Sequence, residues 1–513
     1  MTKQTSYSLL LISILICVPF GSSHCQAQQI SAGFTIPNLQ NLIDKATAKS
    51  THCGVGNDAC GEKLFSKKWE PGESLYEGAD GVGPLFNDNS CLACHSQAGV
   101  GGGSGIDKNV DILSLATRAT PKQKNQLSQF HPGFRDSRGR FLNNIVLHRF
   151  GLDQIEFKTV YSKEREKLMG NVVSLDRSEM NVAELQENLE TKPIREVTAP
   201  GGVPLVHSQR NSPALFGAGL IDKIPDVAIA AEAVRQAKKG KVSGRASQIR
   251  LPIAGGTRFA VGKFGWRAQQ ATLHDFVEGA CAVELGLNTR AQKQTSDPRQ
   301  QRSTSLALDL RPNDVIALSE FVGSIKRPRE HTPTSRSKEL ARVGQAAFEA
   351  VGCAECHLHT LGRVEGIYSD LLLHDMGDSL ADPAPARDVF EQKPKAFAGL
   401  LVAQENNDVI TGRNILLRSK GLIINSYYGF ETISINPVIP LKVREREWRT
   451  PPLWGVADSA PYMHDGRAKT LTEAIAFHDG EAEFSKEGFL KLSTEERKAL
   501  LTFLGTLRAP ETD

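Results

Sequence analysis

Two short segments hold the residues with the clearest chemical potential. They read Cys91-Leu92-Ala93-Cys94-His95 and Cys353-Ala354-Glu355-Cys356-His357. In each segment, two cysteines three positions apart on a helical turn can form thioethers to one edge of a porphyrin, and the next residue, a histidine, falls under the iron as its proximal ligand. This C-x-x-C-H spacing is the attachment signature of a c-type haem. The sequence therefore predicts two covalently bound haem c groups.

Zinc binding and disulfide formation are the alternative uses of these cysteines. A structural zinc site would require a second C-x-x-C close in space, so two complete C-x-x-C-H motifs in one chain favour haem. Outside the motifs, Cys53 and Cys60 are close enough in sequence to close a small disulfide loop, or they are two unpaired thiols. Cys281 lies in an apolar patch and is predicted to be a small buried hydrophobic residue.

The N-terminus has the pattern of an export signal. Lys3 is followed by an apolar run over 8–20, by small residues, and by a plausible cleavage point after Ala27. The run is shorter than the roughly 20 residues needed to span a bilayer, so a retained anchor is the alternative. We expect residues 1–27 to be cleaved and the protein to be periplasmic or otherwise exported, as haem attachment outside the cytoplasm requires.

The composition argues against nucleic acid as a partner. The 513 residues include 61 basic and 58 acidic side chains, for a net charge of +3. A protein that binds nucleic acid carries a clustered basic excess, which this chain lacks. Its length allows two or three domains.

Polar segments at 291–304 and 326–337 separate the chain into two haem domains. We predict an N-terminal haem domain with insertions over 28–325 and a C-terminal haem domain over 326–513. Between the polar segments a short helix is expected over 306–325, and another helix is expected over 226–238 within the first domain.

The C-terminal domain has the helices of a cytochrome c fold. A helix over 338–351 precedes the second motif, with a predicted apolar stripe of Leu340, Val343, Ala347, Phe348 and Val351. A closing helix begins at Ser493, where Glu496 completes a capping box, and its predicted buried face is Leu500, Phe503, Leu504 and Leu507. The expected fold class is mainly α, with two cytochrome c-like haem domains, long loops and insertions.

Beyond the haem motifs, longer segments resemble a known family. They are 83–95 (GPLFNDNSCLACH), 210–226 (RNSPALFGAGLIDKIPD), 262–273 (GKFGWRAQQATL), 368–382 (YSDLLLHDMGDSLAD) and 448–482. The chain resembles the bacterial di-haem oxidoreductase family, also described as peroxidases or thiol oxidoreductases, which is similar to the di-haem cytochrome c peroxidases. The resemblance implies that the N-terminal haem reacts with peroxide and that the C-terminal haem takes in electrons.

The resemblance also implies catalytic residues near the first haem. Trp266, seven residues before Leu273, matches a tryptophan that lies between the haems, although it could be an ordinary core residue. Glu284 matches a catalytic glutamate, with a spacing two residues shorter than the family's, and could shuttle a proton between the peroxide oxygens or be a plain surface acid. Phe276 stands where the peroxidases have a glutamine, which argues against efficient peroxide turnover.

For the second iron, the resemblance implies His478 as the distal ligand, fourteen residues after His464. Met463 and Met376 are the other candidates, and His464 is expected to support the domain interface. Since an axial methionine raises a haem potential relative to histidine, ligation by His357 and His478 would give a lower-potential haem.

The sixth position of the first iron is predicted to be open. Asp111 occupies the place of the family's histidine, sixteen residues after His95. His207, His131 and His148 are the residues that could still reach it. An open position is what a haem that activates an oxidant needs.

Further expectations from the resemblance concern calcium and partners. Asn211, Ser459 and Pro461 occupy the places of an interdomain calcium site. The electron source would be a small redox protein or a quinone-linked donor, the substrate hydrogen peroxide or another oxidant, and a homodimer is allowed. Two other functions stay open: a pure electron-transfer cytochrome, and an oxygenase or protein-modifying enzyme, which the apolar Phe276 favours.

Overall fold

The computed structural model describes most of the chain between residues 58 and 511. The ranges left undescribed are 1–57, 117–118, 136–140, 152–194, 200–201, 254–255, 296–306, 329, 332–333, 383–399, 403–421, 428–429, 436–440 and 512–513. The predicted signal and Cys53 therefore lie outside the described residues. Within the described ranges, no helix is both long and apolar enough to cross a membrane.

The α-helices of the described residues are mostly short. They are α1 Asp58–Ser66, α2 Cys91–Cys94, α3 Pro121–Phe130, α4 Ala218–Asp222, α5 Asp226–Lys239, α6 Leu273–Val283, α7 Pro312–Ser324, α8 Ser335–Ala350, α9 Leu441–Arg446, α10 Leu471–Ala476, α11 Glu483–Lys491 and α12 Thr494–Leu504.

The strands pair into small antiparallel sheets. They are β1 Leu85–Phe86, β2 Val110–Leu115, β3 Asn144–Leu147, β4 Phe150–Gly151, β5 Arg195–Ala199, β6 Val203–Arg210, β7 Gln248–Ile253, β8 Gly256–Val261, β9 Thr360–Leu361, β10 Val364–Glu365, β11 Leu373–Asp375, β12 Leu400–Val402, β13 Leu422–Tyr427, β14 Phe430–Ile435 and β15 Glu447–Arg449.

Helices α8 and α12 cross as the predicted cytochrome c pattern requires. Thr334 caps α8, and the predicted capping box of Ser493 and Glu496 is present at α12. The crossing is tight at Gly344, because a Cβ there would lie 1.9 Å from the carbonyl oxygen of Ala499. Glycine at this position therefore lets the two backbones approach each other.

The buried face of α12 is confirmed, whereas the predicted stripe of α8 is partly wrong. The residues of α12 and its end that were expected to be buried are buried: Leu500, Phe503, Leu504 and Leu507. On α8 the buried positions are Ala341, Gly344 and Phe348, and Val343 is 40% exposed. These three positions are spaced three and four residues apart and so share one face of the helix, and Val343 lies off that face.

A four-stranded antiparallel sheet follows the first haem motif, in the order β3-β2-β6-β5. Leu113 of β2 lies opposite His207 of β6. A core of Leu113, Leu127, Phe134 and Leu205 packs on it. The expectation of a mainly α fold therefore holds only in part, because the first region contains a sheet that the sequence did not predict.

Other predicted elements have shifted limits. The helix expected over 306–325 is α7, which begins at Pro312, a residue with no N–H and a fixed φ that favour the first helical turn. The helix expected over 226–238 is α5, one residue longer. Residues His52–Asp513 form one compact unit, and the predicted boundary near residue 325 stays a prediction.

Candidate functional site

The second C-x-x-C-H motif opens onto a large apolar cavity. A 3₁₀ turn, Cys353–Glu355, follows α8 through Gly352, whose φ of 93° is in the left-handed region. The cavity has a volume of about 280 Å³. Its wall includes both motif cysteines and, among its polar side chains, His357 and His478.

The two imidazoles of this cavity are oriented for axial ligation. His357 Nδ1 donates to the carbonyl oxygen of Tyr368 at 2.9 Å, and His478 Nδ1 donates to that of Ala474 at 2.7 Å. A carbonyl only accepts, so Nδ1 carries the proton in both rings and Nε2 is left as the metal-binding nitrogen. A ring fixed in this way is typical of histidines that bind a metal.

Burial keeps these ligand candidates in the neutral form that binds iron. It lowers the pKa of His357 to about 4, with His478 nearby acting in the same direction, and it lowers the pKa of His478. Burial also raises the pKa of Cys353 to about 12, so this group stays a weakly nucleophilic thiol at neutral pH. Two half-buried thiols and two neutral imidazoles on an apolar wall fit a haem c.

The other candidates for the second iron lie in the same cavity. Met376 and Met463 both line it, so the choice of His478 over a methionine stays a prediction. His464 stacks on Trp448, with ring centroids 3.7 Å apart and an interplanar angle of 13°, and its Nε2 lies 3.7 Å from Asp382. These contacts suit the supporting role that was expected of His464.

A charged network adjoins the second motif. His374 Nε2 lies 2.8 Å from Asp370, and Nδ1 lies 2.9 Å from Glu481. Burial opposes charge on this ring, but Cys356 and Asp370 beside it raise the pKa of His374 well above its ordinary value. Cys356, Asp370 and His374 are close enough to hold a metal ion, yet both nitrogens of the ring already bind carboxylates. This arrangement favours a protonated histidine over a zinc ligand.

The first motif has the same proximal arrangement. Ser90 caps α2 by accepting from the amide of Ala93 at 3.1 Å. His95 Nδ1 donates to the carbonyl of Gly102 at 3.2 Å, within a glycine-rich segment. Burial lowers the pKa of His95 to about 4, so this imidazole is also neutral. Burial raises the pKa of Cys91 to about 12.

Glu284 lies beside the first motif, at the C-terminal end of α6. Burial chiefly raises the pKa of the Cys94 thiol to about 12, and the charges of Asp88, Arg149 and Glu284 act on it. Asn87 Nδ2 donates to Glu284 Oε2, and the backbone amide of Asn87 donates to the Glu284 carbonyl at 2.7 Å. Glu284 is therefore half-buried beside the motif, and its catalytic role stays a prediction.

The environment of Glu284 favours its neutral form. Burial raises the pKa of its carboxyl, while the Asn87 hydrogen bond and the positive potential of His148 and Arg149 act against that rise. A carboxyl with a raised pKa is suited to giving and taking a proton near neutral pH.

The three histidines considered for the first iron are engaged elsewhere. His207 Nε2 lies 2.8 Å from Asp111, and His148 Nε2 donates to the Val283 carbonyl at 3.0 Å. His131 Nδ1 accepts from the Gly133 amide at 3.0 Å, and its ring packs on Phe134 within the sheet core. These contacts are consistent with the predicted open position, which stays a prediction.

Trp266 and Phe276 both line the large cavity. Trp266 is held by its indole Nε1, which donates to the Asn211 carbonyl at 2.8 Å. Phe276 packs on Phe264, with ring centroids 6.0 Å apart. The structure therefore brings Trp266 to the second motif's cavity and Glu284 to the first motif, with α6 between them.

Two of the three predicted calcium ligands flank one turn. A Cβ on Gly466 would lie 3.0 Å from Pro461 Cγ and 3.6 Å from Asn211 Nδ2. The side-chain Nδ2 of Asn211 donates to the carbonyl of Ser104 at 3.1 Å, and the Ser459 hydroxyl donates to the Gly455 carbonyl at 2.7 Å. The calcium site stays a prediction.

Cys60 and Cys281 agree with their predicted roles. Cys60 is in a disulfide, while Cys53, its predicted partner, lies outside the described residues. Cys281 is 1% exposed and not disulfide-bonded.

Sequence reasoning missed several residues of the site. Asn87 and Arg149 beside Glu284, and the Asp370–His374–Glu481 network, were given no role. Asn87 lies within the quoted 83–95 segment, four residues before the first motif, and this proximity was its available signal.

Comparison with known proteins finds a family match over a C-terminal part of the chain. Residues 440–507 match the family described as "Di-haem oxidoreductase, putative peroxidase". The predicted resemblance to the di-haem oxidoreductase family is thereby confirmed, and that family implies two haems.

Individual relatives are more distant. The chain is 28% identical to hydrazine synthase subunit gamma of Kuenenia stuttgartiensis over 162 residues, which are 31% of this chain and 38% of that protein. It therefore spans well under half of this relative.

Two solved structures are similar over part of the chain. The hydrazine synthase structure from the same organism, pressurised with xenon, is 18% identical, covers 58% of this chain and 73% of its own, and has a TM-score of 0.29. A MauG-like protein associated with microbial copper homeostasis is 19% identical. The match covers 48% of this chain and 69% of that protein's chain, with a TM-score of 0.24.

Proposed function

We propose that this chain is an exported di-haem c-type oxidoreductase of peroxidase type. In this proposal, electrons enter at a haem held by His357 and His478 and pass to a haem held by His95, where an oxidant reacts. The haems, when bound, supply the one-electron chemistry, and the residues of the chain orient them and manage protons.

The difference between the two motifs carries the proposal. The second motif faces His478, whose Nδ1 is fixed by a backbone carbonyl at 2.7 Å, and this suits a closed centre that only exchanges electrons. The first motif lies beside the half-buried carboxyl of Glu284, whose charge acts on Cys94 and whose pKa is raised by burial. An ionisable group with a raised pKa in a buried site is a candidate for acid–base catalysis.

Glu284 would move the proton that peroxide reduction requires. Cleavage of the O–O bond consumes two electrons and two protons and yields two water molecules. A neutral Glu284 carboxyl can give a proton to the leaving oxygen and recover one, while Asn87 holds the carboxyl in place by its hydrogen bond. General acid–base assistance of this kind contributes roughly 100-fold or more.

A stopped-flow experiment on the half-reduced protein tests the proposal. After one-electron reduction, we expect peroxide to oxidise the second haem through the first, without consumption of dioxygen. No reaction with peroxide and no cyanide-binding haem would instead indicate a pure electron-transfer cytochrome.

One observation favours an oxygenase as the second candidate. Phe276 and Phe264 make an apolar wall where the peroxidases have a glutamine. If this wall holds an apolar substrate, Phe276→Gln should weaken the binding of that substrate. Phe276 also packs against the same apolar cluster as Cys91 of the first motif. If Phe276 merely restrains peroxide chemistry there, Phe276→Gln should speed the reaction with peroxide by offering a hydrogen bond to the bound oxygen.

A further inference from the structure

We propose that His374 is a positioning residue that keeps the distal imidazole of His478 in place at the second haem site. It does so by joining the segment that fixes the proximal imidazole to the segment that carries His478, through a hydrogen bond to Glu481. This inference rests on the proposed function, because it specifies what keeps the second site closed by two histidines. The proposed function itself gives His374 no role.

The segment 368–374 fixes the proximal imidazole. His357 Nδ1 donates to the Tyr368 carbonyl at 2.9 Å. The next two residues, Ser369 and Asp370, are 0% exposed. The side chain of each accepts from the backbone amide two positions later, at 3.0 Å and 2.9 Å. These local bonds hold the chain beyond Tyr368 in one conformation.

The His374 ring ends this segment as a bridge between two carboxylates. Its Nε2 lies 2.8 Å from Asp370 Oδ2, and its Nδ1 lies 2.9 Å from Glu481 Oε2. A carboxylate only accepts, so a ring with a carboxylate at each nitrogen donates from both. The ring is 2% exposed. His374 therefore links its own segment to Glu481 in the interior of the protein.

Glu481 belongs to the distal segment, three residues after His478. Its carboxylate also accepts from the amide of Ser243 at 2.9 Å and from the hydroxyl of Ser243 at 2.7 Å. Burial opposes charge on this carboxyl, but the bond from His374 and the Ser243 donors lower its pKa to about 2. Glu481 is therefore an anion at neutral pH, and His374 is the cation that holds it.

The two segments also lie in direct contact beside this bond. A Cβ on Gly480 would lie 2.3 Å from the Asp375 carbonyl oxygen and 2.5 Å from the Gly377 amide nitrogen. The backbone that follows His478 therefore rests on the backbone that follows His374. A change at the His374–Glu481 bond acts on this contact.

These contacts give the His374–Glu481 bond a specific consequence. Hydrogen bonds behind a metal ligand set its position as well as its orientation. The bond from His478 Nδ1 to the Ala474 carbonyl fixes how the ring is turned, and the His374–Glu481 bond fixes where its segment lies. Loss of the second bond therefore leaves the ring oriented but lets it withdraw from the haem.

Electron spin resonance and cyanide titration of the oxidised holoprotein test this role. Glu481→Ala removes the carboxylate. His374→Gln removes the imidazole, and its shorter amide cannot bridge both carboxylates. The matched control is Glu447→Ala, because Glu447 is also a buried carboxylate bound by one cation, Arg245, at 3.0 Å and 2.6 Å. Thermal unfolding of each variant shows that the spectra are recorded on folded protein, and His374→Gln decides the test if Glu481→Ala does not fold.

We expect the wild type and Glu447→Ala to bind one cyanide per chain and to keep the low-spin signal of the second haem. Glu481→Ala and His374→Gln should lose part of that signal and bind a second cyanide. A second haem that stays low-spin and closed to cyanide in the folded variants would overturn this role of His374 and leave the proposed function standing. Opening of the second haem in Glu447→Ala as well would also overturn it, because loss of any buried ion pair would then suffice. A methionine ligand on the second iron of the wild type, seen by near-infrared magnetic circular dichroism, would overturn both the proposed ligation and this inference.

Discussion

Replacement of Glu284 by glutamine separates its chemical role from its structural role. Glutamine has nearly the same shape, and its carbonyl oxygen can still accept the hydrogen bond that Asn87 Nδ2 donates to Glu284 Oε2. The backbone contact between the same two residues, 2.7 Å from amide to carbonyl, does not involve the side chain. Glu284→Gln therefore removes an exchangeable proton and leaves the packing intact.

The expected effect on the reaction with peroxide is large. Loss of a general acid–base group slows a reaction by about 100-fold or more, which corresponds to about 2.7 kcal/mol of transition-state stabilisation. Both haems should remain bound with unchanged spectra, since Glu284 holds neither of the motifs.

Glu284→Gln should slow the reaction with peroxide, but it should not lower the stability of the fold. Burial raises the pKa of Glu284 above its ordinary value of 4.5, so the folded state binds this proton more tightly than the unfolded state. Its contribution is fully present below pH 4.5 and is lost as the pH rises through the raised pKa. Glu284→Gln carries no such loss, so at neutral pH it should be at least as stable as the wild type.

Stopped-flow spectroscopy against pH measures the rate, and thermal unfolding against pH measures the stability. Glu278→Gln is the matched control, because Glu278 lies on the helix that Glu284 ends, is buried, and binds only the Ala291 amide among the contacts described. An unchanged peroxide rate in Glu284→Gln would refute the catalytic role. A rate loss of the same size in Glu278→Gln would show that the effect is structural.

Three further predictions concern the two haem sites and the crossing of α8 and α12. Mass spectrometry of the purified protein should show two haems, attached through the cysteines of both C-x-x-C-H motifs, on a chain that lacks its signal; the mass of bare polypeptide would contradict this. His478→Met should raise the potential of the second haem, since thioether sulfur favours ferrous iron, and an unchanged potential and spectrum would indicate a methionine ligand in the wild type. Gly344→Ala should destabilise the fold by about 1–3 kcal/mol, because its Cβ would lie 1.9 Å from the Ala499 carbonyl oxygen; an unchanged melting temperature would mean that the crossing of α8 and α12 is looser than described.

Local features of the fold were predictable because they depend on neighbouring residues. The capping box of Ser493 is encoded by residues a few positions apart, and so is the helix before the second motif. The exposure of Val343 was not predictable, because the apolar period of α8 does not tell which side the crossing helix occupies. The sheet after the first motif was missed because β2, of sequence VDILSL, buries the neighbouring residues Leu113 and Ser114 rather than showing a clean alternation.

The candidate site likewise contains residues that were predictable from the sequence and residues that were not. The motif cysteines and histidines are recognisable from spacing alone, and the position of Glu284 near the first motif was implied by the family resemblance. His374 and Glu481 are 107 residues apart in sequence, and Ser369 meets Thr450 across 81 residues. Contacts of this kind arise from the assembled fold, so no local pattern announces them.

The central claim is that the two haem sites differ, one closed by two histidines and one open beside Glu284. Electron spin resonance of the oxidised holoprotein, combined with its optical spectrum before and after one-electron reduction, tests it directly. The account predicts one low-spin ferric haem with two histidine ligands and one high-spin ferric haem that binds cyanide. Two low-spin haems, neither of which binds cyanide before or after half-reduction, would contradict it.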